Sequence, residues 1–293
     1  MNTVRMLYLH ALSPIHSGTG QSSGIIDLPV TRETITNWPY LPGSTIKGVL
    51  RDACRPDESA DLTHFTAAFG PDVDNASDAA GQLWFSDARL LCLPVRSLYG
   101  TLAWVTCPLA LRRWQRDLRL GGGSPAEPIP TPDADGTILI PGEESAITNA
   151  GRVYFNDLDL QARSEDSAAR LASLIAHAVF EDPAWGSAFE ARFGIVTDDV
   201  FTFLTESCTE VSARVRLDDD KKTVAAGALW YEEAVPAETL FAGPVVAAPR
   251  DGQVGAAQLL DVLAAGIGQP VQIGGHASTG RGLTRVRLVE VTT

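Results

Sequence analysis

Asp27 is a loop carboxylate of a type that can do chemistry. It stands between Ile25-Ile26 and Leu28-Pro29, at the end of a stretch, Ser17-Gly18-Thr19-Gly20-Gln21-Ser22-Ser23-Gly24, too rich in glycine and serine for regular structure. A lone carboxylate on such a loop can ligate a divalent ion or take a proton from a hydroxyl group. Alone, it reads first as an ordinary loop aspartate. His16 precedes the same stretch and can bind a ligand, orient the loop or serve as a structural hydrogen-bonding histidine.

Two further groups favour anions. Ser44 reads as an N-cap, and Ile46, Val49, Leu50 and Ala53 repeat at helical spacing, which predicts an amphipathic helix over 44–55. Its other stripe carries Lys47, Arg51 and Arg55. Close to the amides and dipole of a helix N-terminus, Lys47 and Arg51 suit a phosphate backbone. Gly48 costs that helix about 1 kcal/mol against alanine, a cost that close approach of a ligand chain would explain. In 271–282, Gly274, Gly275, Gly280 and Gly282 can turn successive amides towards an anion, with His276, Thr279 and Arg281 as side-chain donors. The plain alternatives are a solvated basic stripe and a simple turn, since the glycines match neither a Walker loop nor a dinucleotide fingerprint.

The elements that must position these groups are strands and helices interspersed, an α+β pattern. Val4 to Leu12 reads as a first strand and Gly81 to Arg96 as another. Pro108 opens a helix made basic by Arg112, Arg113, Arg116 and Arg119, and Leu171 to Val179 marks a third helix with His177 as a core residue. The glycine- and proline-rich stretch 121–150 reads as a mobile insertion or joint. In 208–233, Val211, Ala213, Val215 and Leu217 alternate with polar residues ahead of the turn Asp218-Asp219-Asp220-Lys221, which predicts a hairpin whose exposed face carries Arg214 and Arg216.

Composition excludes other classes. A net charge of −13 and a pI near 4.8 argue against a free-standing nucleic-acid binder, so any such groove must be locally basic. Four cysteines without a CxxC pair point to reduced thiols and to neither zinc nor disulfides. The sequence has no apolar run of membrane-spanning length and no leader pattern, so no membrane partner and a cytoplasmic location are expected.

Several long stretches read together resemble the RAMP proteins of type III CRISPR systems. They are His10-Ala11-Leu12-Ser13-Pro14-Ile15-His16-Ser17-Gly18-Thr19-Gly20, Ile26-Asp27-Leu28-Pro29-Val30-Thr31-Arg32-Glu33 and Leu41-Pro42-Gly43-Ser44-Thr45-Ile46-Lys47-Gly48-Val49-Leu50-Arg51. Phe85 to Leu91, Trp104 to Pro108, Gly227 to Glu233 and Ile273 to Gly282 extend the resemblance over almost the whole chain, and the middle matches favour the backbone subunit of type III-B (Cmr) assemblies.

This resemblance implies a single elaborated domain over 1–293. Its parts would be a ferredoxin-like, RRM-type palm with an antiparallel sheet, a thumb β-hairpin at 208–233 and a helical insertion. It also implies a filament of copies along a guide RNA (crRNA), with other Cmr subunits and a complementary target RNA as partners. Asp27, on the active-site loop 13–43, would cut the target with a divalent metal, expected to be Mg2+. The RNA contacts implied are His16, Ser44, Lys47, Arg51, Gly274, Gly275, His276, Thr279, Gly280 and Arg281, with Arg214 and Arg216 on the thumb. Two other readings are a purely structural RNA-binding subunit and a small-molecule enzyme, and the second lacks a nucleophile-base arrangement.

Overall fold

The first strand, Thr3–Ala11 (β1), is apolar on both faces, and its alternation feeds two cores. Leu7, Leu9 and Ala11 pack into one, Met6 and Tyr8 into the other. A strand buried on both sides belongs inside a sheet covered on each face. The computed structural model describes residues 2–20, 24–57, 62–71, 80–123, 127–217, 224–250 and 254–291. In it, β1 lies between two antiparallel neighbours, Tyr8 facing Ala242 on one side and Arg287 on the other.

After β1 come Tyr40–Leu41 (β2), Gly43–Ala53 (α1), Thr63–Phe69 (α2), Leu83–Phe85 (β3), Ala88–Arg96 (β4), Leu102–Thr106 (β5) and Pro108–Leu120 (α3). Thr137–Ile140 (β6), Arg152–Phe155 (β7), Leu158–Ser164 (β8), Asp166–Val179 (α4), Pro183–Glu190 (α5), Phe193–Ile195 (β9) and Asp198–Ser207 (α6) follow. The chain continues with Glu210–Leu217 (β10), Val224–Ala234 (β11), Leu240–Ala247 (β12), Ala256–Gly266 (α7), Val271–Gln272 (β13) and Leu283–Glu290 (β14). Among the described residues, one large sheet runs β13-β14-β1-β12-β4-β5-β9-β6-β8-β7, with β2 added to β4 and β3 to β12. It is mostly antiparallel, and the pairs β5–β9 and β6–β8 are parallel. The hairpin β10–β11 is a sheet of its own.

Helices cover both faces. Ile46 and Leu50 of α1, Phe65 and Phe69 of α2, and Leu259 and Leu263 of α7 join the core of Leu7 and Leu9. Leu111 and Trp114 of α3, Leu171 and Ile175 of α4 and Phe189 of α5 join that of Met6 and Tyr8. The Trp114 indole donates to the Tyr8 hydroxyl at 2.9 Å, which satisfies both polar atoms inside that core.

The expected α+β palm and separate hairpin are present, with local corrections. The span Gly81 to Arg96 is two strands, broken at Ser86-Asp87 so that the Asp87 carboxylate can accept from the Gly43 amide at 2.8 Å. That contact caps α1 from outside; Pro42 holds the N-cap position, and Ser44 lies within the helix instead. Residues 121–150 contribute β6, whose Ile138 and Ile140 are buried, so this stretch is part of the sheet. His177 is exposed, its Nδ1 2.7 Å from the Ser173 carbonyl one turn back, and is no core residue. The turn expected at Asp218 to Lys221 lies outside the described residues.

Because Leu9 is fully buried at the centre of the sheet, Leu9→Ala should lower the free energy of unfolding by about 2–5 kcal/mol. Urea denaturation should show a lower midpoint with an unchanged slope.

Candidate functional site

The outer edge of β11, the one facing away from β10, organises the site. Along it, four backbone groups of Tyr231 and Glu233 are all taken by the loop that follows β1. The Tyr231 amide donates to Asp27 Oδ2 at 2.7 Å, and the Tyr231 carbonyl accepts from Leu28 N at 3.1 Å. The Glu233 amide donates to Leu28 O at 3.0 Å, and the Glu233 carbonyl lies 2.6 Å from His16 Nδ1. A carbonyl only accepts, so Nδ1 carries the proton there. Asp27 and His16 are thereby hung on anchor points two residues apart on one strand, roughly 7 Å along it. Asp27 is half-buried, and its Oδ1 makes no hydrogen bond among the described residues.

The adjacent side chains Glu232 and Glu233 are almost fully buried and point to opposite faces of the hairpin. Buried carboxylates must be paired. Glu233 Oε2 accepts from the Val30 amide at 3.0 Å, and Oε1 binds Arg32 at 2.5 Å, whose guanidinium also donates to the carbonyls of Asn37 and Thr205. Glu232 lies 2.8 Å from Arg281 Nε, close enough to offset its charge though out of line for a hydrogen bond. Arg214 and His276 each stand 3.6 Å from its other oxygen. Neither glutamate nor Arg32 was singled out for the site from sequence; a pair of acids on a strand that also carries Trp230 and Tyr231 was the available signal.

The glycine-rich loop closes over His16. A Cβ on Gly274 would fall 2.3 Å from the His16 carbonyl, and its φ of +82° is one that side chains rarely adopt. Gly18 is required from the other side, since a Cβ there would meet His16 Nε2 at 2.6 Å. His276 packs edge-on against the His16 ring at 5.1 Å. The expected anion nest is not what the amides form: those of Gly275, Thr279, Gly280, Arg281 and Gly282 all donate to backbone carbonyls. Arg281, expected as a donor on this loop, is buried against Glu232. His276, Thr279 and Gly280 remain exposed.

The hairpin inverts its expected alternation. Val211, Val215, Leu229 and Tyr231 are exposed, while Ser212 and Arg214 turn partly inward because the buried Glu232 demands a cation on that face. Arg216 is exposed. On α1, Ser44, Lys47, Gly48 and Arg51 line a groove of about 880 Å3 whose far wall includes Pro71, Trp84 and Phe85. Lys47 makes no ion pair among the described residues. Arg51 differs from the expectation of a free phosphate ligand, because its guanidinium donates to the carbonyls of Phe69, Gly70 and Pro71 at the end of α2. A Cβ on Gly48 would touch no protein atom, so the fold itself does not demand glycine there. α1 packs on β13, which leads into the glycine-rich loop, and this joins the groove to the Asp27 region.

The described residues contain no group of three or more His, Cys, Asp or Glu side chains able to hold a metal. The carboxylates nearest Asp27 in the hairpin are committed to Arg32 and Arg281. A resident divalent ion therefore does not fit this donor set. Cys54, Cys92 and Cys107 are buried free thiols, and burial pushes Cys54 up to about 11, well away from reactive thiolate.

Removing Glu233 should release the loop. Glu233→Ala leaves Arg32 and the Val30 amide without their buried acceptor and should cost about 3 kcal/mol, with Glu233→Gln costing less. Hydrogen exchange at Val30 and Tyr231 should accelerate in step. Unchanged exchange would mean that the loop is held from elsewhere.

The RAMP superfamily pattern matches residues 8–285. The Cmr endoribonuclease Cmr4 of Pyrococcus furiosus is 35% identical over 288 residues, covering 97% of this chain and 95% of that protein. The Cmr subunit Cmr4 of Saccharolobus solfataricus is 23% identical over 256 residues, covering 81% and 82%. The crystal structure of oligomeric Cmr4 from Pyrococcus furiosus superposes with a TM-score of 0.77 at 29% identity, over 99% of both chains. A chain of the type III-B Cmr-beta complex bound to cognate target RNA shares the fold, with a TM-score of 0.73 at 19% identity over 99% of this chain and 98% of that one. From the palm to the loop that carries Asp27, this chain belongs to the RAMP superfamily.

Proposed function

We propose that this chain is a backbone subunit of a type III-B CRISPR effector, which grips guide RNA, stacks with copies of itself and with other Cmr subunits, and cuts complementary target RNA. The likeness to the Cmr endoribonuclease along nearly the full length supports the activity class. The single observation that carries the catalytic assignment is Asp27, with Oδ2 fixed on the Tyr231 amide and Oδ1 without a partner among the described residues.

The chemistry follows from that geometry. Oδ1 takes the proton of a 2′-hydroxyl, the freed oxygen attacks the adjacent phosphorus, and the 5′-oxygen leaves with a proton from water. His16 is a positioning residue, since its Nδ1–H is spent on Glu233, its ring packs against Gly18 and its backbone carbonyl against Gly274. Any Mg2+ would arrive with the RNA phosphates and complete its shell with water, as that ion tolerates. The guide backbone runs in the α1 groove against Ser44, Lys47 and the open face of Gly48, with Arg51 shaping the wall. Gly275, His276, Thr279 and Gly280 meet the RNA at the loop, and Arg214 and Arg216 on the thumb.

Two experiments test this reading. Asp27→Asn keeps an oxygen for the Tyr231 amide but no longer takes a proton, so assembly and target binding should persist while cutting falls about 10²-fold or more. Measured on the assembled complex with Mg2+ and labelled target RNA, wild-type cutting by the variant would leave a purely structural RNA-binding subunit. Lys47→Ala should weaken guide binding for all sequences alike and lower the salt slope by about one charge. An unchanged slope would take Lys47 out of the groove's contacts.

A further inference from the structure

On the face of the sheet opposite α1 lies a pocket of about 330 Å3 that the RNA site does not use. Its floor is His10 of β1, more than nine-tenths buried, with Nε2 2.6 Å from Glu238 Oε2. Phe180 and Trp185 form the walls, their rings 14° from parallel, and Phe180 meets the His10 ring edge-on at 5.2 Å. Glu238 holds a left-handed backbone, φ +69°, fixed by its amide on the Ala11 carbonyl and by the Trp104 indole on its own carbonyl. Non-glycine residues keep such a conformation only where the surroundings impose it. Here it aims the carboxylate at His10.

We infer that this pocket receives the guanidinium of an arginine side chain presented by a neighbouring protein subunit. In the neutral ring, with Nε2–H donating to Glu238, Nδ1 of His10 is left an acceptor, and it has no hydrogen-bond partner among the described residues. The floor therefore offers acceptors alone. A guanidinium has five N–H donors and no acceptor, and its plane stacks on indole faces better than an ammonium does. Three carboxylates, Glu181, Asp182 and Glu238, line the pocket with one guanidinium, Arg285; Glu181 pairs with Arg285 at 3.4 Å and with Arg287, outside the lining, at 3.8 Å, and Asp182 caps α5 through the Ala184 amide, so the lining keeps more acid than base. That balance favours a cation and opposes a nucleotide, whose phosphates would face Glu181 and Asp182. Trp185 stays 44% exposed, an apolar rim that a protein surface would cover and a free amine would not.

The test titrates the isolated chain with end-capped Gly-Arg-Gly, following the ring signals of His10 and the indole N–H of Trp185 by NMR. Gly-Lys-Gly and AMP serve as comparators. Saturable shifts with the arginine peptide, weaker ones with lysine and none with AMP are expected. Trp185→Ala and Glu238→Gln should each weaken arginine binding about tenfold, with guide-RNA binding by the assembled complex unchanged. No saturable shift, an equal response to AMP, or full binding by both variants would overturn the assignment.

Discussion

Two neighbouring glutamates on β11 fix the geometry of everything around them. Strand geometry sends Glu232 and Glu233 to opposite faces of the hairpin, and both are buried, so each needs its own cation. Glu233 obtains Arg32 and the Val30 amide from the loop after β1, and Glu232 obtains Arg281 from the glycine-rich loop. One strand thus fastens two loops that are far apart in sequence. Breaking either pair would leave a charge in a poorly solvated place, a larger penalty than an exposed ion pair could carry. The hairpin stands outside the large sheet, so these contacts and the backbone bonds beside them are what hold the site to the palm.

The same pairing reconciles an acidic chain with the RNA groove proposed along α1. A net charge of −13 describes the whole surface, but screening confines each exposed charge to about 8–10 Å. Near the site, Glu232 and Glu233 are cancelled by arginines, and Glu33 and Asp117 are likewise matched by Arg113, Arg89 and Arg116. The cations that face outward from this region, Lys47 and Arg216, are not offset by those acids. Local potential can therefore favour phosphate while the chain as a whole stays acidic.

What could be read from the residues was whatever depended on short-range pattern. The first strand, the α1 stripe of Ile46 and Leu50 and the proline opening α3 all stand where local pattern put them. What failed depended on distant partners. Ser44 has the chemistry of an N-cap, but Asp87 reaches the helix start from another strand. Val211 and Val215 have the alternation of an inward face, but the buried Glu232, set opposite Ser212, turns the polar face in. Glycines at 274, 280 and 282 looked like an anion nest, while Gly274 in fact makes room for the His16 carbonyl. The arginines at 51 and 281 look alike in sequence to any phosphate ligand, and only tertiary structure reveals that carbonyls and a glutamate already occupy them.

The hydrogen bond from Tyr231 to Asp27 gives the hairpin a second consequence. Because the carboxylate hangs on the backbone of β11, its position is set by that strand. A net hydrogen bond of this kind, strengthened by the charge on its acceptor, is worth about 1.5–3 kcal/mol, enough to hold the carboxylate to the strand. Leu28, bridged to the same edge, adds a second fixed point one residue later. A strand edge covered in this way also has no backbone groups at Tyr231 and Glu233 left to pair with another chain. The loop therefore protects the edge that holds it, and whatever displaces the hairpin must also displace Asp27.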